Sequence, residues 1–122
     1  MMKRKETGNL GERLAHIHLK KRHHHILEIN YHCPHGEIDI ISKQKDTLVF
    51  TEVRTKTGAD FGTPEESITW TKRERMRACA LYYLQTHENP GKIWRIDVAA
   101  VEMNKSGKLS RIEFIENAVG EE

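Results

Sequence analysis

The chain has 122 residues, enough for one self-supporting core and too few for two. With 37% hydrophobic and 31% charged residues it reads as a soluble globular domain, and no apolar run approaches the roughly 20 residues that a membrane span needs. A formal net charge of +2 is too small to argue for an anionic partner by itself, so the placement of charge matters more than its sum.

That placement is uneven. Lys20, Lys21 and Arg22 lead into His23, His24 and His25, and Lys72, Arg73, Arg75 and Arg77 crowd a second segment. Two basic clusters in so short a chain are either solvated faces or phosphate contacts. Acidic residues gather in the tail as Glu113, Glu116, Glu121 and Glu122. The first six residues are basic, but no apolar stretch follows them. No signal peptide is therefore expected, and a cytoplasmic location is. There, Cys33 and Cys79 are too few for a disulfide framework and are expected to stay reduced.

No repeat or linker interrupts the chain, so residues 1–122 are read as one domain. Leu10, Leu14 and Ile17 recur at helical spacing, flanked by Ala15 and Leu19, and predict a helix over residues 8–24. Residues 26–31 are rich in strand formers and stop at Pro34. Residues 37–41 and 48–54 read as a hairpin joined by the polar segment 42–47. Gly58 to Gly62 is a loop. Thr63, Pro64 and Glu66 then carry helix-start signals, with a possible pause at Thr69, a second N-cap candidate. The helix continues through Met76, Cys79, Ala80, Tyr83 and Leu84 and ends at Asn89-Pro90-Gly91. Residues 93–103 form a long strand, 104–107 a turn and 111–115 a last strand. The order αβββαββ implies a mixed sheet with flanking helices, one strand pair being parallel across the second helix.

Within the hairpin, a turn centred near Lys45 and Asp46 sets Asp39 opposite Glu52. Alternation puts Glu37 and Asp39 on one face, Ile38 and Ile40 on the other, and Glu52 and Arg54 on the face of Phe50. Two carboxylates directly across a strand pair repel each other. A divalent cation between them removes the conflict, and clustered oxygen donors suit Mg²⁺ or Mn²⁺. Glu12 lies at the margin of the first helix's apolar arc, beside Gly8, Ala15 and Leu19. It either leans over a sheet edge or is a solvated helix glutamate.

Gly11-Glu12 in a first helix, Gly36-Glu37-Ile38-Asp39-Ile40-Ile41, Phe50-Thr51-Glu52-Val53-Arg54 and Arg95-Ile96-Asp97-Val98 together resemble the YraN-like family. That family is assigned to the PD-(D/E)XK, or restriction-endonuclease-like, superfamily, beside archaeal Holliday-junction resolvases. The resemblance spans roughly residues 8–103, leaving a C-terminal strand and acidic tail over 104–122. It implies an α/β restriction-endonuclease-like fold with Glu12 as the helix carboxylate, Asp39 as the motif aspartate and Glu52 as the first residue of the (D/E)XK triplet. The triplet's lysine position holds Arg54. Lysine there is thought to orient or deprotonate the attacking water, whereas arginine keeps its proton at any useful pH. Two lysines could compensate. Lys56 lies on the same strand face, and Lys72 sits one turn before Met76 on the core-facing stripe, where snorkelling would also account for it.

The seven histidines between His16 and His35, with Cys33, suggest zinc, but no CxxC pair or HxxxH spacing organises them, and a basic rim is the simpler reading. Arg95 and Asp97 are expected to pair with each other. Trp94 suits the core; Trp70 could pack or stack on a base. The leading functional reading is a metal-dependent DNA endonuclease using Glu12, Asp39, Glu52, Arg54 and Lys56 or Lys72, with Mg²⁺ or Mn²⁺ held by the three carboxylates. Lys20, Lys21, Arg22, Lys72, Arg73 and Arg77 are its expected phosphate contacts, with DNA rather than RNA as the partner. By fold analogy a homodimer is expected, and no membrane association. A non-catalytic nucleic-acid-binding module and a protein-interaction adaptor are the alternatives.

Overall fold

A computed structural model describes residues 4–58, 62–87 and 93–118. The interior of the Gly58–Gly62 loop, Asn89-Pro90-Gly91 and the tail glutamates Glu121 and Glu122 lie outside the described residues, as does the start of the basic N-terminus. The elements follow in the order α1 (Arg4–Lys21), β1 (His25–Cys33), β2 (Gly36–Gln44), β3 (Thr47–Thr57), a single 3₁₀ turn (Glu65–Ser67), α2 (Trp70–Thr86), β4 (Ile93–Met103) and β5 (Leu109–Ile115). The five strands form one mixed sheet in chain order. β3 and β4 are parallel, and the other neighbouring pairs are antiparallel. Among the described residues no helix is long and apolar enough to cross a membrane.

The two helices cover opposite faces of the sheet. On one, Met76, Cys79, Ala80 and Tyr83 of α2 pack on Ile38, Ile41, Leu48, Phe50 and Ile96. On the other, Ala15 and Leu19 of α1 pack on Ile40 and Ala99, with Val53 and Phe114 at the margin. Phe50 and Val53, like Ile96 and Ala99, are three residues apart on one strand and so point to opposite faces.

Three features differ from the expected elements. The first is the end of α1, which stops at Lys21 and not at residue 24. His23 takes a left-handed φ of 67°, and His24 N–H donates back to Leu19 C=O at 3.0 Å. This is a Schellman stop built on histidine where glycine is usual. The second is the entry to α2. The Thr63-Pro64 signals make only the 3₁₀ turn. The α-helix begins after Thr69, whose side chain accepts the Lys72 N–H at 3.1 Å. The third concerns β2, where simple alternation fails: Ile38 joins the α2-side core and Ile40 the α1-side core. The partner strand β1 is irregular there. It has a bulge between Ile26 and Glu28, and Asn30 at a φ of 53° lies between the paired positions Ile29↔Ile40 and Tyr31↔Ile38.

The buried stripe of α1 is Gly11, Ala15 and Leu19, whereas Ile17 is exposed. Gly11 allows the helix to lie directly on β3, since a Cβ there would stand 2.0 Å from Thr55 Oγ1 and 3.1 Å from Thr55 Cβ. No threonine rotamer clears the second contact. Gly11→Ala is therefore expected to destabilise the protein by about 1–3 kcal/mol, despite alanine's better helix propensity. Thermal melting should show a lowered Tm, restored only in part when Thr55→Ala removes the Oγ1 contact and leaves the Cβ contact in place. An unchanged or raised Tm for Gly11→Ala alone would mean that α1 does not seat against β3 as described.

Candidate functional site

The sheet register sets the centre of the site. β2 and β3 pair from Gln44↔Thr47 to Ile40↔Thr51, around a turn in which Lys45 takes a φ of 53°. The β2–β3 pairing stops there, although β3 runs on to Thr57 against β4. Asp39 and Glu52 are the first residues past the end of that ladder. Asp39 carries its backbone role on in its side chain, with Oδ2 accepting the Val53 N–H at 2.7 Å. Its carboxylate is thus tied down in the notch where β2 leaves β3.

Glu52 is 3% exposed and faces Asp39 within hydrogen-bonding reach. Its Oε1 is buried and receives no donor. The group beside it is another carboxyl, which has no proton to offer when both are ionised. Burial, then the charge of Asp39 and contact with its carboxyl, push Glu52 up to about 8, against a smaller opposing pull from Lys72. Lys72 reaches across from the first turn of α2 and puts Nζ 3.1 Å from Glu52 Oε2. Its ammonium therefore serves the acid pair, and the stripe position that snorkelling could explain is an ion-pair position.

Glu12 approaches from α1, the next residue after the Gly11 contact. Partial burial, then the charges of Asp39 and Glu37, hold its carboxyl above the usual range. It thus lies within electrostatic reach of Asp39 and Glu37 and is only partly exposed to bulk water. Arg54 is held differently. Its Nε donates to Ser67 Oγ at 2.9 Å, Ser67 Oγ donates to Pro64 C=O, and Nη1 lies 3.8 Å from Glu52 Oε2. Ser67 is a positioning residue that the sequence did not single out. The only signal for it was its place three residues after Pro64 in the short turn.

Asp39, Glu52, Arg54 and Lys72 come together, with Glu12 within electrostatic reach of Asp39. Lys56 sits further along β3 in register with Glu102. Arg73 is exposed and Arg77 half-buried on α2, the latter 3.6 Å from Glu74. Lys20 and Lys21 close α1 and Arg22 follows it, roughly 12 Å along the helix axis from Glu12 at mid-helix. Arg22 there covers the Phe114 ring at 4.6 Å. Arg95 and Asp97 pair at 3.0 Å, with Asn117 N–H donating to Asp97 at 2.9 Å. Trp94 packs against Phe50, and Trp70 is 69% exposed. His24 is buried and bonded to Ser42 Oγ at 2.8 Å. Among the described residues, no three His, Cys, Asp or Glu side chains are gathered closely enough to hold a metal ion by themselves.

The site is therefore a facing carboxyl pair with two cationic side chains, and a third carboxyl within electrostatic reach of Asp39, where the β2–β3 ladder ends in a small mixed α/β domain. The profile of the uncharacterised protein family UPF0102 matches residues 11–101 of this chain. A UPF0102 protein of Moorella thermoacetica is 42% identical over 96% of this chain and 98% of its own. Those of Caldicellulosiruptor saccharolyticus and Dehalococcoides mccartyi are 40% and 42% identical, over 96% and 98% of this chain and 99% and 97% of theirs. The chain belongs to the UPF0102 family.

Proposed function

We propose that the protein is a metal-dependent DNA endonuclease with a restriction-endonuclease-like fold, in which Asp39 and Glu52 hold Mg²⁺ or Mn²⁺ and Glu12 completes or orients the shell. The observation that carries this reading is the buried, donorless Glu52 Oε1 beside the Asp39 carboxylate. A buried carboxylate oxygen without a partner is costly, and a hard cation is the group that both carboxylates would accept together. Two protein carboxylates are a usual protein share for Mg²⁺, which keeps waters and takes phosphate oxygens for the rest of its shell.

When bound, such an ion supplies Lewis-acid charge and makes water a better nucleophile at neutral pH. The chain's own residues do the remaining work. Val53 N–H fixes the orientation of Asp39, so one carboxylate oxygen is aimed before any ligand arrives. Lys72 and Arg54 bring two positive charges to the rim of the pair, where they would offset charge developing on a phosphate. Lys72 is the side chain that could take the role of the missing triplet lysine, because its amine already reaches the acid pair. Arg73 continues the basic surface along α2 and would contact the flanking phosphate backbone.

The experiment is a cleavage assay on branched, flapped and linear DNA with Mg²⁺ or Mn²⁺, run on the natural sequence and on Arg54→Lys. Cleavage is expected, with Arg54→Lys equal or faster, because it restores the superfamily triplet at the same strand position. A second reading is favoured by the anchoring of Arg54 to Ser67, which leaves its guanidinium a fixed charge rather than a catalyst. On that reading the domain binds nucleic acid without cutting it. Binding of DNA by both proteins, with no product from either, would decide for it.

A further inference from the structure

The two cysteines are 46 positions apart in sequence and sit on different elements, yet their sulfurs are in contact, with Cys33 Sγ 2.9 Å from Cys79 Sγ. Cys33 ends β1 and is half-buried, while Cys79 is fully buried in the middle of α2. The backbone around Cys33 is arranged toward its sulfur, with His35 N–H donating to Cys33 Sγ at 3.3 Å. Gly36, at a φ of 142°, keeps the start of β2 close to the pair: a Cβ there would lie 3.6 Å from Cys79 Sγ. A disulfide needs its sulfurs about 2.05 Å apart, so closing this pair asks for a movement of under an ångström.

We propose that Cys33 and Cys79 are a redox modification site, forming a reversible disulfide in exchange with low-molecular-weight disulfides. Exposure sets the order of events. The Cys33 thiolate, having given its proton to solvent, attacks one sulfur of the small disulfide, and the other half leaves as a thiolate that takes up a proton. Cys79 then attacks Cys33 Sγ, its proton passing to the second departing thiol. In sum, two protein thiols and one small disulfide give one protein disulfide and two small thiols. Burial, and the neighbouring Cys33, push the Cys79 thiol up to about 12, which protects it from direct attack by outside reagents. Its contact with Cys33 provides the proximity that its weak ionisation lacks.

The bridge would fasten the end of β1 to the helix that carries Lys72, and the loop it closes contains β2 and β3 with Asp39 and Glu52. Closing a loop of that length restricts the unfolded chain substantially. The expected gain is a rise in Tm of roughly 10 °C for the oxidised form.

The test equilibrates the full chain in buffers of reduced and oxidised glutathione, then reads alkylated peptide masses and thermal melting. The expected result is a monomeric species lighter by two hydrogens, with the Cys33 and Cys79 peptides linked, melting higher and reverting with excess thiol. Cys33→Ser, at a half-buried position, should fold and show the same Tm in both buffers. Cys79→Ser should stop at a glutathione adduct on Cys33. Accumulation of that adduct in the natural sequence, dimers joined through Cys33, the absence of any oxidised species, or an oxidised form melting no higher would each overturn the proposal. None of these readouts depends on DNA or metal.

Discussion

Asp39→Asn is expected to lower metal-dependent DNA cleavage by about 10²–10³-fold or more, while DNA binding stays level or tightens. The substitution preserves what Asp39 does for the fold. An asparagine side-chain oxygen still accepts the Val53 N–H, so the notch between β2 and β3 keeps its shape. What it removes is one of the two negative charges available to a cation, together with the repulsion between Asp39 and Glu52. The variant should consequently melt no lower than the natural sequence, which separates a lost activity from a lost fold. Binding tightens because a negative charge facing phosphate has gone. Quantified product formation beside a filter-binding or anisotropy measurement would check both halves. Full cleavage by Asp39→Asn would move the chemistry elsewhere in the molecule.

Glu52→Gln is expected to make the cation-free protein more stable than the natural sequence at pH 8, by about 2–4 kcal/mol. The sign follows from the direction of the shift. Glu52 is raised from an ordinary 4.5 to about 8, so the folded state holds this proton more tightly than the unfolded state does. Its stabilising contribution is complete below about pH 4.5 and is lost as pH rises toward 8. Glu12 and Asp97, both raised chiefly by burial, act in the same direction. Glutamine removes the ionisation, and its amide can donate to Asp39 where Glu52 Oε1 now has no donor. Denaturant melts in a chelator from pH 5 to 8 should show a steep fall for the natural sequence and a shallower one for Glu52→Gln. Parallel falls would mean that Glu52 is not the group that titrates.

How much of this was readable from residues alone depended on sequence distance. The element order and the facing of Asp39 and Glu52 were legible because a tight hairpin about Lys45 and Asp46 fixes pairing by simple counting. Which face of the sheet Ile38 packs on was not, since alternation assumes a regular partner strand and Asn30 adopts a conformation that breaks it. The stop of α1 escaped for a similar reason: histidine at a left-handed position carries no compositional signal of the kind glycine gives. Thr69 was visible as an N-cap, but only packing could decide between it and Thr63. Lys72 was suspected because a lysine on an apolar stripe needs a polar partner, and Glu52 supplies one. Contacts between distant segments were invisible. Neither the Ser67 anchor of Arg54 nor the meeting of Cys33 with Cys79 leaves any trace in local pattern, because each depends on how α2 and its preceding turn dock on the sheet.

The central claim is that the facing carboxyls are a divalent-cation site, and direct titration with Mn²⁺ tests it without DNA. Free Mn²⁺ gives a strong electron paramagnetic resonance signal that is lost on binding, so occupancy can be counted per chain. The account predicts one saturable site in the natural sequence, weakened at least about tenfold by Asp39→Asn. Equal Mn²⁺ binding by the two proteins, or none by the natural sequence, would contradict it.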